Sequence, residues 1–317
     1  MSSRSNDQGR AYEYIALVTL YTEISKIRKA KIVQNSSLEA AKAAWDNMSK
    51  SMQHLLMVSS ASFVPEIFDL EPLILEDDGD CLELLIQKDC KGEEGDVRDI
   101  LIVRSGIEWE IGLSMKHNHF AVKHSRLSPL IDFGEKWYGV PCSKHYWQSV
   151  LSIFGYLQKQ KNRGKAWSEL NNKAGDVYIP LLNAFIKELR DANASHKELP
   201  QKMVEYLLGE YDFYKIISID NKRLTQINSF NLHGTLNKNG KRRKSTSTIP
   251  KVLLPTRIVS LDFKPGSNNT VELYMDGGWQ FSFRIHNAST MVESSLKFDI
   301  QIIGMPTTIV TINCRWK

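Results

Sequence analysis

Asp99, Glu110, Ser114 and Lys116 are the residues of this 317-residue chain whose types and spacing could do chemistry together. A carboxylate beside a lysine can hold a divalent cation and stabilise charge on a phosphate. Asp99 leads an apolar run, Ile100-Leu101-Ile102-Val103; a turn follows at Arg104-Ser105-Gly106-Ile107, and the chain returns from Glu108 to Lys116. Both arms are rich in Ile, Val, Leu and Trp, and the connection carries a glycine, which is the pattern of a β-hairpin. If Val103 pairs with Glu108, or Arg104 with Ile107, paired numbers sum to 211 and Asp99 lies opposite Gly112. Alternation then puts Glu110, Gly112, Ser114 and Lys116 on the face of Asp99, and sends Ile111, Leu113 and Met115 toward a core. A polar row on an otherwise apolar sheet is costly unless it binds something. Spacing alone leaves two other readings open. An exposed hairpin face carries such residues without function, and a three-residue loop would turn Asp99 to the opposite face.

The flanking elements must position this hairpin. Ser2 to Gln8 is polar and reads as loose; Tyr12, Ile15, Ala16, Leu20, Ile24 and Ile27 recur at helical spacing and predict a helix from about Gly9. Glu13 falls in its first turn, where a carboxylate suits the helix dipole. Ser36-Ser37-Leu38-Glu39 looks like a second helix start, continuing to about Ser59 with Met48, Met52, Leu55, Leu56 and Met57 as packing residues. Cys81 to Lys88 alternates Leu82, Leu84 and Ile86 with polar neighbours and predicts a strand, completing a three-stranded meander with the hairpin. Apolar stripes over His145–Lys161, Asp176–Ala194 and Pro200–Tyr211 predict three more helices with core faces. Beyond Arg257 the chain reads as strands, 258–263, 271–275, 279–285, 296–303 and 308–313, in a mostly antiparallel sheet.

Charge divides the chain unevenly. Val64 to Asp96 holds twelve Asp or Glu against two Lys, whereas Tyr214 to Lys264 holds eleven Lys or Arg against two Asp. Asp77-Asp78-Gly79-Asp80 lacks the downstream pattern of a calcium loop and reads as a solvated turn. Lys241-Arg242-Arg243-Lys244 lies in a Gly/Asn/Ser/Thr-rich loop, either a solvated turn or, with Arg242 and Arg243, a phosphate contact. The net charge of +5 permits a polyanionic partner without requiring one. No apolar run approaches the roughly 20 residues that span a bilayer, and no signal peptide is apparent. Cys81, Cys90, Cys142 and Cys314 show no CxxC pairing, so structural zinc is disfavoured and reduced thiols in a cytosol are expected. The shift of composition predicts residues 1–213 as one part and a basic, β-rich 214–317 as another, in one continuous domain or two.

After Lys116 comes a dense polar segment, His117-Asn118-His119 and then Lys123-His124-Ser125-Arg126. No fourth ligand accompanies the three histidines in a zinc pattern. A zinc site lacking an evident fourth ligand, a solvated basic loop and a DNA-facing segment are the readings, the last with Lys123 and Arg126 on phosphate and His117, Asn118, His119, His124 and Arg126 able to reach base edges. Arg284, beside His286 and Asn287 on a predicted strand, suits the same recognition surface.

An aspartate opening one strand and a lysine closing the next resembles the PD-(D/E)xK nuclease core. The fuller text, VRDILI at 97–102, WEIGLSMKHNH at 109–119 and AVKHSRLS at 121–128, closely resembles the HaeIII-type type II restriction endonucleases. The likeness extends to QGRAYEYI near the start and to SFRIHNAST and SLKFDIQIIG near the end. It implies an α/β (mixed α+β) fold with a central mixed sheet flanked by helices. It also implies Mg²⁺-dependent hydrolysis of double-stranded DNA, expected at GGCC and cut between G and C to blunt ends. Asp99 and Lys116 would be catalytic, with Asp99 on the metal. The position two before the lysine, acidic in the superfamily at large, is Ser114 here, which leaves Glu110 or Glu13, from the first helix, to supply a second carboxylate. Glu110 is roughly 13 Å along an extended strand from Ser114, so it would flank Asp99 from the other side. A palindromic target suits a two-fold homodimer, though a monomer nicking each strand in turn meets the same need. The setting implied is a bacterial cytoplasm, with a cognate DNA methyltransferase that need not touch this chain. A junction or repair nuclease with the same centre, and a decayed DNA-binding protein, are the competing readings.

Overall fold

The computed structural model describes residues 2–88 and 95–317; Cys90 and the side chain of His124 lie outside the described part. In chain order the first elements are α1 (Ser2–Ile24), β1 (Ala30–Ile32), α2 (Ser36–Asp46), α3 (Lys50–Leu70), β2 (Leu82–Ile86), β3 (Ile100–Arg104) and β4 (Trp109–His117). There follow β5 (Ala121–Leu127), α4 (Phe133–Tyr138), α5 (Lys144–Asn162), α6 (Ile179–Ser195) and α7 (Leu199–Leu208). The last are β6 (Phe213–Ile219), β7 (Leu224–Phe230), β8 (Ile258–Phe263), β9 (Thr270–Met275), β10 (Gln280–His286), β11 (Leu296–Gly304) and β12 (Thr311–Arg315). No helix among them is long and apolar enough to cross a membrane.

The strands form a seven-stranded sheet, ordered β1-β2-β3-β4-β6-β7-β12, and a five-stranded sheet, ordered β5-β11-β10-β9-β8. The first is mixed: β1 runs parallel to β2 and β4 parallel to β6, while the other pairs are antiparallel. The second is wholly antiparallel. Two compact units follow, residues 1–120, 209–252 and 307–317 around the first sheet, and residues 121–208 and 253–306 around the second. Their boundaries do not coincide with the change of composition near Tyr214. β6 and β7 extend the same sheet as the hairpin, and β12 returns to it from the chain end.

Helix starts and breaks follow local capping chemistry. The Asn35 side chain accepts from the Leu38 N–H and opens α2. A single helix to Ser59 is not what forms: α2 ends at Asp46 and Ser49, in an extended conformation, caps a new helix by accepting from Met52 N–H. Asn47 and Ser49 both bond the backbone through their side chains, and such residues favour caps over helix interiors. α1 begins at Ser2 rather than near Gly9, and ends before Ile27, which is exposed. Residues 121–127, for which a solvated loop is one of the sequence readings, form β5, whose Leu127 end pairs with Leu296 of β11. Backbone pairing with β11 outweighs the polarity of its side chains.

The core of the first unit lies where α1 and α3 cover one face of the mixed sheet. Tyr12, Ala16, Leu20 and Leu56 meet Leu84, Ile100, Ile102, Ile111, Leu113, Met115, Tyr214 and Ile216 there, all buried. These sheet residues occupy the alternate positions that leave Asp99, Ser114 and Lys116 on the other face. In the second unit an aromatic core gathers Phe133, Trp137, Phe185, Phe283 and Phe298, with Trp137 stacked on Phe283 at 5.8 Å.

The acidic and basic stretches of the first unit hold each other. Asp80 accepts from buried Arg104 at 2.8 and 2.9 Å and pairs with buried Arg28. Glu76 accepts the Lys241 and Arg242 N–H groups at 2.8 and 3.1 Å, and Arg242 Nη1 donates to the Asp77 carbonyl at 2.7 Å. Glu71, fully buried past the end of α3, accepts from Tyr214 Oη at 2.7 Å and from Asn237 N–H at 2.5 Å. Its second oxygen is buried without a hydrogen-bond partner.

Burial, more than any other influence, pushes the Glu71 carboxyl up to about 7 against a model-compound value of 4.5. Its folded value is raised, so the folded state binds more protons than the unfolded chain between these limits. The resulting stability is present below pH 4.5 and is lost as pH rises through about 7. The size is on the order of 3 kcal/mol. Glu71→Gln should flatten that decline, read as unfolding free energies from urea titrations at a series of pH values. An unchanged slope would place the titrating group elsewhere.

Candidate active site

The hairpin closes with a longer turn than its sequence suggests. Arg104 pairs with Trp109 and Ile100 with Leu113, so paired numbers sum to 213, not 211. The turn residues Ser105–Ile107 form a 3₁₀ turn, and Glu108 takes a left-handed conformation at φ 50°. Arg104 is drawn away from turn-making by its buried links to Asp78, Asp80 and the Leu73 carbonyl. A shift of two in this sum preserves which face each residue occupies, and it brings Ser114 in place of Gly112 opposite Asp99.

Asp99 stands just before β3, its N–H donating to the Leu113 carbonyl at 2.8 Å. Its Oδ2 then accepts from three donors of β4: Met115 N–H at 2.6 Å, Lys116 Nζ at 3.0 Å and Ser114 Oγ at 3.3 Å. Asp99 and Lys116 are partly exposed and Ser114 is buried. A carboxylate, a hydroxyl and an ammonium thus meet at one end of a rigid strand pair. The continuation of the register sets Gln87 beside Asp99, with Gln87 N–H donating to the Asp99 carbonyl at 2.9 Å.

Glu110 takes part in a different arrangement. It lies opposite Val103 and accepts from Arg98 Nη1 at 2.8 Å. Arg98, which sequence reasoning passed over, also binds both carboxylate oxygens of Asp96 and sits 4.0 Å over the Tyr211 ring. Burial works to raise the Asp96 carboxyl, but hydrogen bonds from Arg98 and Gln87 bring it below its ordinary value. Glu110 is therefore spent on the Arg98 clamp rather than turned to Asp99. Glu13 lines a polar concavity of about 280 Å³ with Arg10, Ser36, Ser37, Ile86, Gln87 and Lys88. Gln87, which lines it, also donates its N–H to the Asp99 carbonyl, but Asp99, Ser114 and Lys116 do not line it. Among the described residues no three Asp, Glu, His or Cys side chains converge as a ready-made metal cage.

The ends of the parallel strands β4 and β6 are joined side chain to side chain. His117 Nε2 and Asn118 Nδ2 each lie 2.8 Å from Asp220 Oδ2, and Asp220 N–H donates back to Asn118 Oδ1 at 3.0 Å. Asn118 adopts a left-handed φ of 59°, which asparagine tolerates better than most residues. His119 follows, half-buried, in the connection to β5. A concavity of about 470 Å³ opens there, lined by Asn118, Phe120, Ile219, Asp220, Asn221 and Lys222.

The remaining predicted DNA-binding residues are dispersed. Lys123 donates to the Tyr206 carbonyl at 3.1 Å, Arg126 pairs with Glu293 at 2.7 Å, and Arg284 pairs with Asp299 at 3.1 Å, all in the second unit. Arg242 and Arg243 are exposed on the loop that Glu76 anchors in the first. One group absent from the sequence reading stands with the centre: Lys215 of β6, buried and in register with Ser114. Burial and then nearby Lys116 hold its ammonium well below the usual lysine range, opposed by Asp99.

A mixed sheet backed by helices, with a carboxylate and a lysine meeting on adjacent strands, is consistent with an α+β nuclease fold. Residues 9–306 match the HaeIII restriction endonuclease family. The chain is 52% identical over 318 residues to the Type II restriction enzyme HaeIII of Haemophilus aegyptius, covering 100% of both sequences. It belongs to the HaeIII restriction endonuclease family and is, by that membership, a type II site-specific deoxyribonuclease. No solved structure is significantly similar to it.

Gly112 tests how the centre is framed. A Cβ there would fall 2.0 Å from Arg98 Cδ and 2.7 Å from Arg98 Cβ, so the side chain and its backbone would both have to move. Gly112→Ala should destabilise the fold by about 1–3 kcal/mol, as overpacking does. Chemical denaturation would measure it, and a change within a few tenths would show that Arg98 is not held as described.

Proposed function

We propose that this enzyme hydrolyses double-stranded DNA at GGCC, cutting between G and C to leave blunt ends, with Mg²⁺ held at Asp99. The observation that carries the reading is the convergence of Ser114, Met115 N–H and Lys116 on one Asp99 oxygen, within a family whose name is that of a restriction enzyme.

The donor set fits magnesium. Mg²⁺ keeps several waters and binds through one or two carboxylates and substrate phosphates, so a single carboxylate with a neighbouring hydroxyl is enough to seat it. When bound it would polarise the phosphate and lower the pKa of an attacking water. Asp99 would hold the ion, and Ser114, at the position usually acidic, would orient Asp99 rather than ligate in place of a second acid. Lys116 would leave Asp99 for the scissile group, where its ammonium offsets charge gathering on the phosphate oxygens. Glu13 of α1 and Glu110, which accepts from Arg98, are the two candidates for an outer carboxylate.

Recognition would fall to donors suited to guanine N7 and O6. His117, Asn118 and His119 lie one to three residues beyond Lys116, and Lys123, His124, Arg126, Arg242, Arg243 and Arg284 would supply phosphate and further base contacts. A palindrome is read by a two-fold homodimer in this proposal, in a bacterial cytoplasm where a methyltransferase protects the same site without touching this chain.

Digestion of a sequenced plasmid should give discrete blunt fragments ending in GG and CC with Mg²⁺ and none with EDTA. Asp99→Ala and Lys116→Ala should each lower the cleavage rate at least 1000-fold, a loss of about 4 kcal/mol or more in transition-state stabilisation. Fragments mapped to another site would reject the specificity, and full activity in either variant would reject the assigned centre.

A further inference from the structure

We propose that Lys297, in the middle of a basic row on the polar face of the five-stranded sheet, holds a backbone phosphate of the DNA and so strengthens binding without reading sequence. This rests on DNA being the substrate, and on neither the GGCC site nor the cutting centre at Asp99.

The five-stranded sheet has two unlike faces. On β10 and β11 the buried Phe283, Ile285, Phe298 and Ile300 turn toward the aromatic core. The alternate positions turn the other way and are polar throughout: Ser282, Arg284 and His286 on β10, and Lys297, Asp299 and Gln301 on β11. The register of three strands sets Arg126 opposite Lys297 and Lys297 opposite His286, a basic row across β5, β11 and β10. Neighbouring strands lie about 4.8 Å apart, so the row spans roughly 10 Å. Like charges directly opposite one another on adjacent strands are destabilising. A threonine at 297 would remove the conflict and suit a strand better.

The nearby carboxylates do not resolve that conflict. Glu293 takes Arg126 at 2.7 Å, and Asp299 takes Arg284 at 3.1 Å. The cations Arg126, Arg284 and Lys297 thus meet two carboxylates, each already engaged by an arginine. Among the described residues, the Lys297 ammonium makes no hydrogen bond or ion pair. Partial burial first and Arg126 next hold it below the ordinary lysine range, against the opposing pull of Asp299 and Glu293. A phosphate oxygen laid on the row would supply the missing charge and the missing acceptor together. The substrate of a deoxyribonuclease carries one negative charge per ~1.7 Å of duplex. The Arg126 and Arg284 side chains are 39% and 56% exposed, so this part of the face opens to solvent. Further along the same face the sign reverses: Glu272 of β9 and Asp262 of β8 pair with Lys264 and Arg190. The surplus of positive charge is therefore confined to the side made by β5, β11 and β10.

Lys297→Met keeps the length of the stem and removes the charge, while Lys297→Arg keeps the charge. The full-length wild type and both variants are titrated in Ca²⁺ with two duplexes, one with and one without GGCC, at salt from about 50 to 200 mM. The expected result for Lys297→Met is a plot of log affinity against log salt that is shallower by about one, with both duplexes weakened by the same factor. Its melting temperature stays at or above wild type, and its single-turnover rate at saturating DNA in Mg²⁺ stays within about threefold. Lys297→Arg retains the wild-type slope. An unchanged slope in Lys297→Met overturns the proposal. So does weakening confined to the GGCC duplex, which would make Lys297 a base reader, and so does a rate lost at saturation with binding intact, which would place it in the chemistry. A wild type with no salt-dependent affinity for either duplex would sink the DNA reading and the proposal together, whereas cutting at a site other than GGCC would sink the specificity alone.

Discussion

The whole site hangs on how one carboxylate finishes one ladder. β3 stops pairing with β4 at Asp99, and the next β4 amide, that of Met115, would be left without a strand partner. Asp99 Oδ2 takes that amide, and in doing so lies within reach of Lys116 and Ser114. A structural need and a chemical opportunity coincide. The same bond that satisfies a backbone donor fixes the carboxylate without using a flexible loop, which is how a constellation is held to within a fraction of an ångström.

Around that bond the sheet has two characters. The helix-covered face is apolar and continuous across β2, β3, β4 and β6. The opposite face carries a polar row through its middle, with Arg98 laid over Gly112 on one side and the His117–Asn118–Asp220 links at the carboxyl ends of β4 and β6. Sheets with parallel central strands place ligands at those carboxyl ends, where side chains from adjacent strands fan apart. The Asp220 links tie two strands that are a hundred residues apart in sequence, so the segment following Lys116 is anchored at its first step.

Charge in this protein is less available than composition implies. In the acidic stretch from Val64, Asp78 and Asp80 pair with Arg28, Arg104 and Lys241, and Glu76 accepts the Lys241 and Arg242 N–H groups of the basic stretch. Arg126 and Arg284 are likewise paired within the second unit, with Glu293 and Asp299. These are in part exposed pairs, each worth little and readily exchanged for a phosphate partner. Internal pairing holds such side chains in place and limits unselective attraction to polyanions.

What the sequence determined by itself was whatever depends on neighbours along the chain. Alternation in the hairpin fixed which of Asp99, Glu110, Ser114 and Lys116 share a face, and it survived an error in turn length because the true register differs by two. The helical stripes of α1, α5, α6 and α7 and the strands β8 to β11 were legible for the same reason, each being an amphipathic repeat within one element. Tertiary structure alone decided what depends on remote partners. That β6 would lie against β4, carrying Lys215 to Ser114, has no local signal; FYKII reads as an apolar run with a stray lysine in a basic region. That Arg98 would claim Glu110, or that β5 and β12 would each join sheets far from their sequence neighbours, follows from backbone hydrogen bonding between distant strands. Periodicity tells which face a side chain takes, and only pairing tells what it faces.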